Sequence, residues 1–193
     1  MEAFYTIQGE GFNTGKAAYF IRLGGCDVGC VWCDVKESWE ADRHPVTSLE
    51  DILKGVRESG ADKVVVTGGE PAMYDLTALT SELKKSSVQC FLETSGAYPI
   101  TGIWDWVCIS PKKFKSPFEA NLALANELKV VVYNKSDFEW AEKYARKVPE
   151  SCMLFLQPEF SVFDKVMPML VNYVKENLHW RISLQVHKII GVR

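Results

Sequence analysis

No apolar run in the sequence approaches the roughly 18–20 residues that a helix needs to cross a bilayer. The first residues, Met1-Glu2-Ala3-Phe4-Tyr5, lack the basic and apolar regions of a signal peptide, so the chain reads as cytoplasmic. An excess of either charge is missing too: 22 Lys and Arg stand against 25 Asp and Glu, a formal net of −3. That field is too small, and of the wrong sign, to draw the chain to nucleic acid or an anionic membrane. No repeat and no low-complexity stretch interrupts the sequence. What remains is a globular composition, 47% apolar and 24% charged over 193 residues, read as one domain spanning residues 1–193. Six cysteines in such a chain are thiols or metal ligands sooner than disulfides, and half of them fall within Cys26–Cys33.

Hydrophobic periodicity alternates along the chain. Ala18 to Leu23 reads as a strand ending at Gly24-Gly25, and Ser48 opens a helix in which Leu49, Ile52, Leu53 and Val56 share a face. Lys63 to Val66 is a β-branched run that stops at Thr67-Gly68-Gly69. Asp75 can cap a helix carrying Leu76, Leu79 and Leu83, and strands follow at Gln89–Leu92, Trp106–Ile109 and Leu128–Tyr133. Ser136 and Glu139 form a capping-box pattern ahead of Trp140, Tyr144 and Ala145. Met153–Leu156 reads as a strand, Phe163 to Val174 as a helix, and Arg181–Val186 as a closing strand that runs up to His187. Strands alternating with helices imply a parallel sheet. Little helical pattern lies between Thr94 and Asn126, so one crossover is expected to be irregular. The fold class is α/β, and an incomplete (open) parallel βα barrel is favoured over a doubly wound sheet. In either, ligands collect at the carboxyl ends of the strands.

Cys26-Asp27-Val28-Gly29-Cys30-Val31-Trp32-Cys33 has the spacing C-x3-C-x2-C, and Gly29 lets the loop turn back on itself. Three such thiolates can hold a four-iron cluster with one iron left open. They could instead form part of a zinc site, which wants a fourth ligand; His44 is the nearest candidate, eleven residues on. Cys90, Cys108 and Cys152 stand singly in or beside strands and read as small buried hydrophobes.

The triplet, with an aromatic residue before its last cysteine, resembles the radical S-adenosylmethionine superfamily. Val64-Val65-Val66-Thr67-Gly68-Gly69-Glu70-Pro71 resembles that superfamily's second motif, in which strand-end backbone holds the methionine amino group. Further segments are Phe4-Tyr5-Thr6-Ile7-Gln8-Gly9-Glu10-Gly11, Arg22, Glu93-Thr94-Ser95-Gly96, Ser110-Pro111-Lys112, Gln157-Pro158 and Ser183-Leu184-Gln185-Val186-His187-Lys188. With these the chain resembles, essentially end to end, the 7-carboxy-7-deazaguanine synthase family.

The resemblance implies a carbon–nitrogen lyase that converts 6-carboxy-5,6,7,8-tetrahydropterin into 7-carboxy-7-deazaguanine, with ring contraction and loss of ammonia, in queuosine-type biosynthesis. It implies a 4Fe-4S cluster on Cys26, Cys30 and Cys33, and an S-adenosylmethionine pocket of Trp32, Cys33, Asp34, Gly69, Ser95, Ser110, Pro111, Lys112, Gln157 and Pro158. Substrate would meet Ile7, Gln8, Gly9, Arg22, Thr67, His187 and the terminal Arg193. A homodimer and an electron donor of the flavodoxin or ferredoxin kind are also implied.

Two of these residues also have purely structural readings: Arg22 could pair with a core carboxylate such as Glu93, and His187 could be a surface residue. One position departs from the family. A threonine commonly follows Cys-Asp there and its hydroxyl binds magnesium; this chain has Val35, whose side chain carries no oxygen. Magnesium is therefore in doubt. A radical activase of a partner enzyme would share the cysteine and glycine motifs but has no need of Gln8-Gly9-Glu10-Gly11 or the Gln185/His187 ending. A zinc-binding interaction domain would explain the triplet alone.

Overall fold

The computed structural model describes residues 1–192. Eight strands form one sheet in chain order: β1 Glu2–Ile7, β2 Ala17–Leu23, β3 Lys63–Gly68, β4 Gln89–Thr94, β5 Trp106–Ile109, β6 Glu127–Val132, β7 Met153–Pro158 and β8 Trp180–Ile182. From β2 to β8 every pairing is parallel, while β1 returns antiparallel on β2 with Glu2 opposite Arg22. Among the described residues β8 does not pair with β1, so the sheet is open, as expected of an incomplete barrel.

The helices are α1 Leu49–Ser59, α2 Thr77–Lys85, α3 Glu119–Leu122, α4 Ser136–Ala145, α5 Phe163–Glu176 and α6 Val186–Ile190. Ser48 caps α1 by accepting from Asp51 N at 3.1 Å, and Gly60 ends it in the left-handed region. Asp75 accepts from Thr77 N ahead of α2. β4 runs to β5 without a helix, and only the single turn α3 separates β5 from β6; the weak helical pattern there reflects that shortened crossover. No helix among the described residues is long and apolar enough to cross a membrane.

Side-chain alternation along the strands separates two environments. Ile21, Val64, Val66, Cys90, Leu92, Leu128, Val130 and Leu156 face the helices in the main core. The opposite face is apolar low down, where Ala18, Phe20, Val65 and Phe91 cluster. One register step further on, the same face carries Arg22, Thr67 and Glu93, which line a cavity. A packed floor and a polar mouth thus come from the same period-two pattern.

Three local expectations need correction. β1 is not expected from the sequence because none of its side chains is fully buried and its apolar residues, Ala3, Phe4 and Tyr5, run together across both faces instead of alternating with polar ones. The capping box at Ser136 and Glu139 does not form: Asp137 accepts from Tyr133 N and Asn134 N at 2.8 Å instead. The final strand is short, and Val186–Ile190 is helical, so His187 sits on α6 rather than following a strand. Only three residues of β8 find a partner on β7, which leaves the chain free to turn back across the cavity mouth. Cys90, Cys108 and Cys152 are buried thiols as expected.

Candidate active site

The cysteine loop leaves β2 and is tied down at its root. Gly25 N donates to Ser38 O at 2.6 Å and Cys26 N to Trp39 O at 3.2 Å, so the segment beyond Cys33 closes over the segment before Cys26. Gly69 N and Glu70 N donate to Leu23 O and Gly25 O, both at 2.8 Å, joining the end of β3 to the same root. Cys26, Cys30 and Cys33 all line one cavity of about 280 Å³. Burial pushes the Cys30 thiol up to about 11, against the pull of the nearby Lys112 ammonium, and also raises Cys26.

The donor set suits a cluster better than a single ion. Among the described residues no three His, Cys, Asp or Glu side chains converge as one ion requires. A cubane takes one thiolate per iron, so its ligands stand further apart. His44 is engaged elsewhere, its Nε2 paired with Glu37 O at 2.8 Å.

Glu70 fixes the second wall. Its buried carboxylate accepts from Ala72 N at 3.0 Å, Ser95 N at 2.8 Å and the hydroxyls of Thr94 and Ser95. Four donors to one carboxyl group hold the ends of β3 and β4 in a single geometry. Gly69 has no room for a side chain: an added Cβ would lie 2.2 Å from Gly25 O. Gly69→Ala is therefore expected to displace the cysteine-loop root and, in the S-adenosylmethionine pocket that the sequence resemblance implies, to weaken that ligand's binding at least tenfold by calorimetry, with far-UV circular dichroism unchanged.

Across the cavity, the loop after β1 faces β4, β6 and α6 through a network of charged and amide side chains. Lys129, 4% exposed, lies 2.6 Å from Glu10 Oε2 and 2.9 Å from Glu93 Oε2. Gln8 Nε2 donates to Glu93 Oε1 at 3.2 Å, and Gln185 Nε2 to Glu10 Oε1 at 2.9 Å. Burial alone would raise the Glu10 carboxyl, but the Lys129 ammonium and the Gln185 hydrogen bond bring it down to about 2. His187 is lowered from its ordinary 6.5, first by burial, so its ring is neutral at pH 7. The α6 segment closes this side: Val186 N donates to Gly9 O at 2.9 Å, and Gly11 N to Ser183 Oγ at 2.9 Å. An added Cβ at Gly9 would strike His187 Nδ1 at 2.2 Å, so glycine is what lets α6 approach.

Below the ion network, Glu127 is buried with Oε2 accepting from Trp106 Nε1 at 3.0 Å and Phe12 N at 3.2 Å. Its Oε1 has no hydrogen-bond partner, and burial with the neighbouring Glu93 raises this carboxyl to about 7.

Sixteen residues singled out by sequence meet in this cavity: Ile7, Gln8, Gly9, Arg22, Cys26, Cys30, Trp32, Cys33, Asp34, Thr67, Gly69, Ser95, Ser110, Lys112, Gln157 and Pro158. His187 joins them. Pro111 does not line it; its carbonyl faces Trp140 Nε1 at 3.4 Å, because the turn after β5 points Ser110 and Lys112 inward and Pro111 away. Arg193 lies outside the described residues. Arg22 pairs with Glu2 at 2.9 Å across the antiparallel pair, not with Glu93, and lies over the Phe4 ring. Lys129 and Glu127 escaped the sequence reading. The signal was present: two charges at alternate positions of an otherwise apolar β6.

The Radical SAM superfamily model matches residues 20–107. A 7-carboxy-7-deazaguanine synthase of Flavobacterium psychrophilum is 55% identical over 192 residues, covering 100% of this chain and 91% of that protein. One from Synechocystis sp. is 45% identical, covering 100% of this chain and 92% of that protein. The crystal structure of QueE from Escherichia coli superposes with a TM-score of 0.86 at 35% identity, covering 96% of this chain and 92% of that one.

Proposed function

The chain belongs to the 7-carboxy-7-deazaguanine synthase family of radical S-adenosylmethionine enzymes, and from this premise we propose how its cavity divides the work. The reaction is the conversion of 6-carboxy-5,6,7,8-tetrahydropterin to 7-carboxy-7-deazaguanine with release of ammonia, a carbon–nitrogen lyase step in queuosine-type biosynthesis. The single observation that carries the reading is convergence: the cysteine loop, the Gly69–Glu70 strand end, the loop after β1 and α6 all open on one cavity.

Cys26, Cys30 and Cys33 would hold the 4Fe-4S cluster. Trp32, Asp34, Gly69, Ser95, Ser110, Lys112, Gln157 and Pro158 would line the S-adenosylmethionine pocket beside it. Bound together, these groups supply a carbon radical able to abstract hydrogen. The protein's own part is to bind, orient and exclude water. Strand-end backbone at Gly69 can approach a ligand closely, since no side chain stands in the way. Lys112, donating to Ser110 Oγ at 2.5 Å and lying 5.4 Å from the Trp32 ring centroid, places an ammonium where a ligand carboxylate can meet it.

On the substrate side, Ile7, Gln8, Gly9, Thr67 and His187 would meet the pterin, and Arg22 its carboxylate. A half-buried guanidinium stacked on Phe4 is shaped for two parallel hydrogen bonds to a carboxylate. Neutral His187 can both donate and accept. The Glu10–Lys129–Glu93 network offers carboxylate oxygens as acceptors, and Lys129 helps to hold the Glu10 carboxyl well below its ordinary range. An external electron is required, and a flavodoxin- or ferredoxin-type protein is the proposed donor; a homodimer is the proposed assembly.

The test is anaerobic incubation with reductant, S-adenosylmethionine and the carboxylated tetrahydropterin, read by product mass. Cleavage of S-adenosylmethionine without the deazaguanine product would count against the substrate assignment. Arg22→Gln is expected to raise KM about 10- to 100-fold, the size of a lost hydrogen bond to a charged group. Its Tm should move little, because the Arg22–Glu2 pair lies at the open edge of the sheet, still partly in solvent, and such pairs contribute about 1 kcal/mol.

A further inference from the structure

Lys188 reaches from α6 back to the cysteine loop. Its Nζ lies 3.0 Å from Asp34 Oδ2 and 2.9 Å from Gln185 Oε1, and 4.5 Å from the Phe160 ring centroid. Its side chain is 25% exposed, and with Asp34, Val35, Gln185 and His187 it forms one edge of the cavity. An ammonium has three donors, and these two hydrogen bonds leave one for a ligand.

The same edge is poorly made for a hard divalent cation. Such an ion needs several oxygen ligands in near-ideal geometry. Val35 offers none, and the carboxylate of Asp34, the nearest oxygen ligand, is already paired with Lys188. A positive charge is nevertheless fixed at this edge, supplied by the chain itself.

We propose that the Lys188 ammonium, oriented by Asp34 and Gln185, receives the substrate carboxylate at the cysteine-loop edge in the role a magnesium ion would otherwise fill. The enzyme therefore works without magnesium. A carboxylate has two oxygens and several acceptor sites, so Arg22 and Lys188 can share it without competing. The Phe160 ring shields the ammonium from water on one side, which strengthens its attraction for an anion. This proposal rests on the reading of the cavity as a carboxylated-pterin site.

Two measurements on the cluster-loaded enzyme with S-adenosylmethionine test it. First, turnover is compared in chelator-treated buffer and with added magnesium, while magnesium alone is titrated into the chelated enzyme by calorimetry. Turnover should agree within about twofold, and no stoichiometric heat should appear. Second, the affinities of 7-carboxy-7-deazaguanine and of 7-deazaguanine, which lacks the carboxylate, are compared for wild type, Lys188→Met and Lys188→Arg. Lys188→Met should bind the carboxylated base about 10- to 100-fold more weakly and the plain base unchanged, with Lys188→Arg restoring most of the loss. Turnover that collapses on chelation and returns with magnesium would overturn the proposal. So would Lys188→Met binding the carboxylated base as tightly as wild type. A wild-type enzyme that makes no deazaguanine in either buffer fails at the functional reading, and the proposal falls with it.

Discussion

Cys30→Ala yields a folded protein without a stable cluster and without detectable product. Three thiolates leave one iron of a cubane open, whereas two leave half the cluster without protein ligands. The fold should survive, because the loop's anchors are backbone hydrogen bonds of Gly25, Cys26, Gly69 and Glu70, none of which uses the Cys30 side chain. The main core is likewise built from strand and helix residues outside this loop. Iron and labile sulfide content, the visible absorption of the anaerobically reconstituted protein and product mass check the outcome. A Cys30→Ala protein with wild-type iron content and turnover would refute the cluster assignment. Cys108→Ala is the matching control: that thiol is fully buried in β5, away from the loop, and its loss should leave iron content unchanged.

Lys129→Met should be the most destabilising change at the site. The ammonium sits between Glu10 and Glu93 at 2.6 and 2.9 Å, with the buried Glu127 on the same strand face. Methionine fills a similar volume but leaves two carboxylates facing each other without compensation. Breaking a buried pair in this way costs about 3–5 kcal/mol, or roughly 6–20 °C in Tm for a chain of this size. Substrate affinity should fall with it, because Gln8 and Gln185 are oriented through the same two carboxylates. The pH dependence carries the signature of the mechanism. Glu10 is held at about 2, below its ordinary 4.5. A depressed carboxyl contributes stability that is fully present above about 4.5 and is lost as pH falls toward about 2. Wild type should lose stability over that window, and the gap between wild type and Lys129→Met should narrow there, as protonation removes the uncompensated charges. A gap that stays constant from pH 7 to pH 3 would show that Lys129 acts through packing rather than charge.

The sequence by itself determined the chemistry and most of the element order. The triplet's spacing and the Thr67-Gly68-Gly69-Glu70 strand end are local patterns, and local patterns fix which groups can reach one ligand. Amphipathic stripes in α1, α2 and α5, the β-branched runs of β3 and β6 and the apolar run of β7 are local too, set by the 3.6 and 2.0 side-chain periods. Contacts between distant segments were settled only when the sheet curved. Arg22 meets Glu2 because β1 folds back antiparallel, and a half-buried edge strand leaves almost no hydrophobic signature. Lys129 meets Glu10 across 119 positions, and Lys188 meets Asp34 across 154. The closing strand ends early because β7 offers β8 only three partners, after which α6 turns across the mouth and carries His187 and Lys188 into the cavity wall. A charge in an apolar strand signals in sequence that a partner is needed; which partner it finds is decided by the curvature that brings the strand ends and their loops around a common interior.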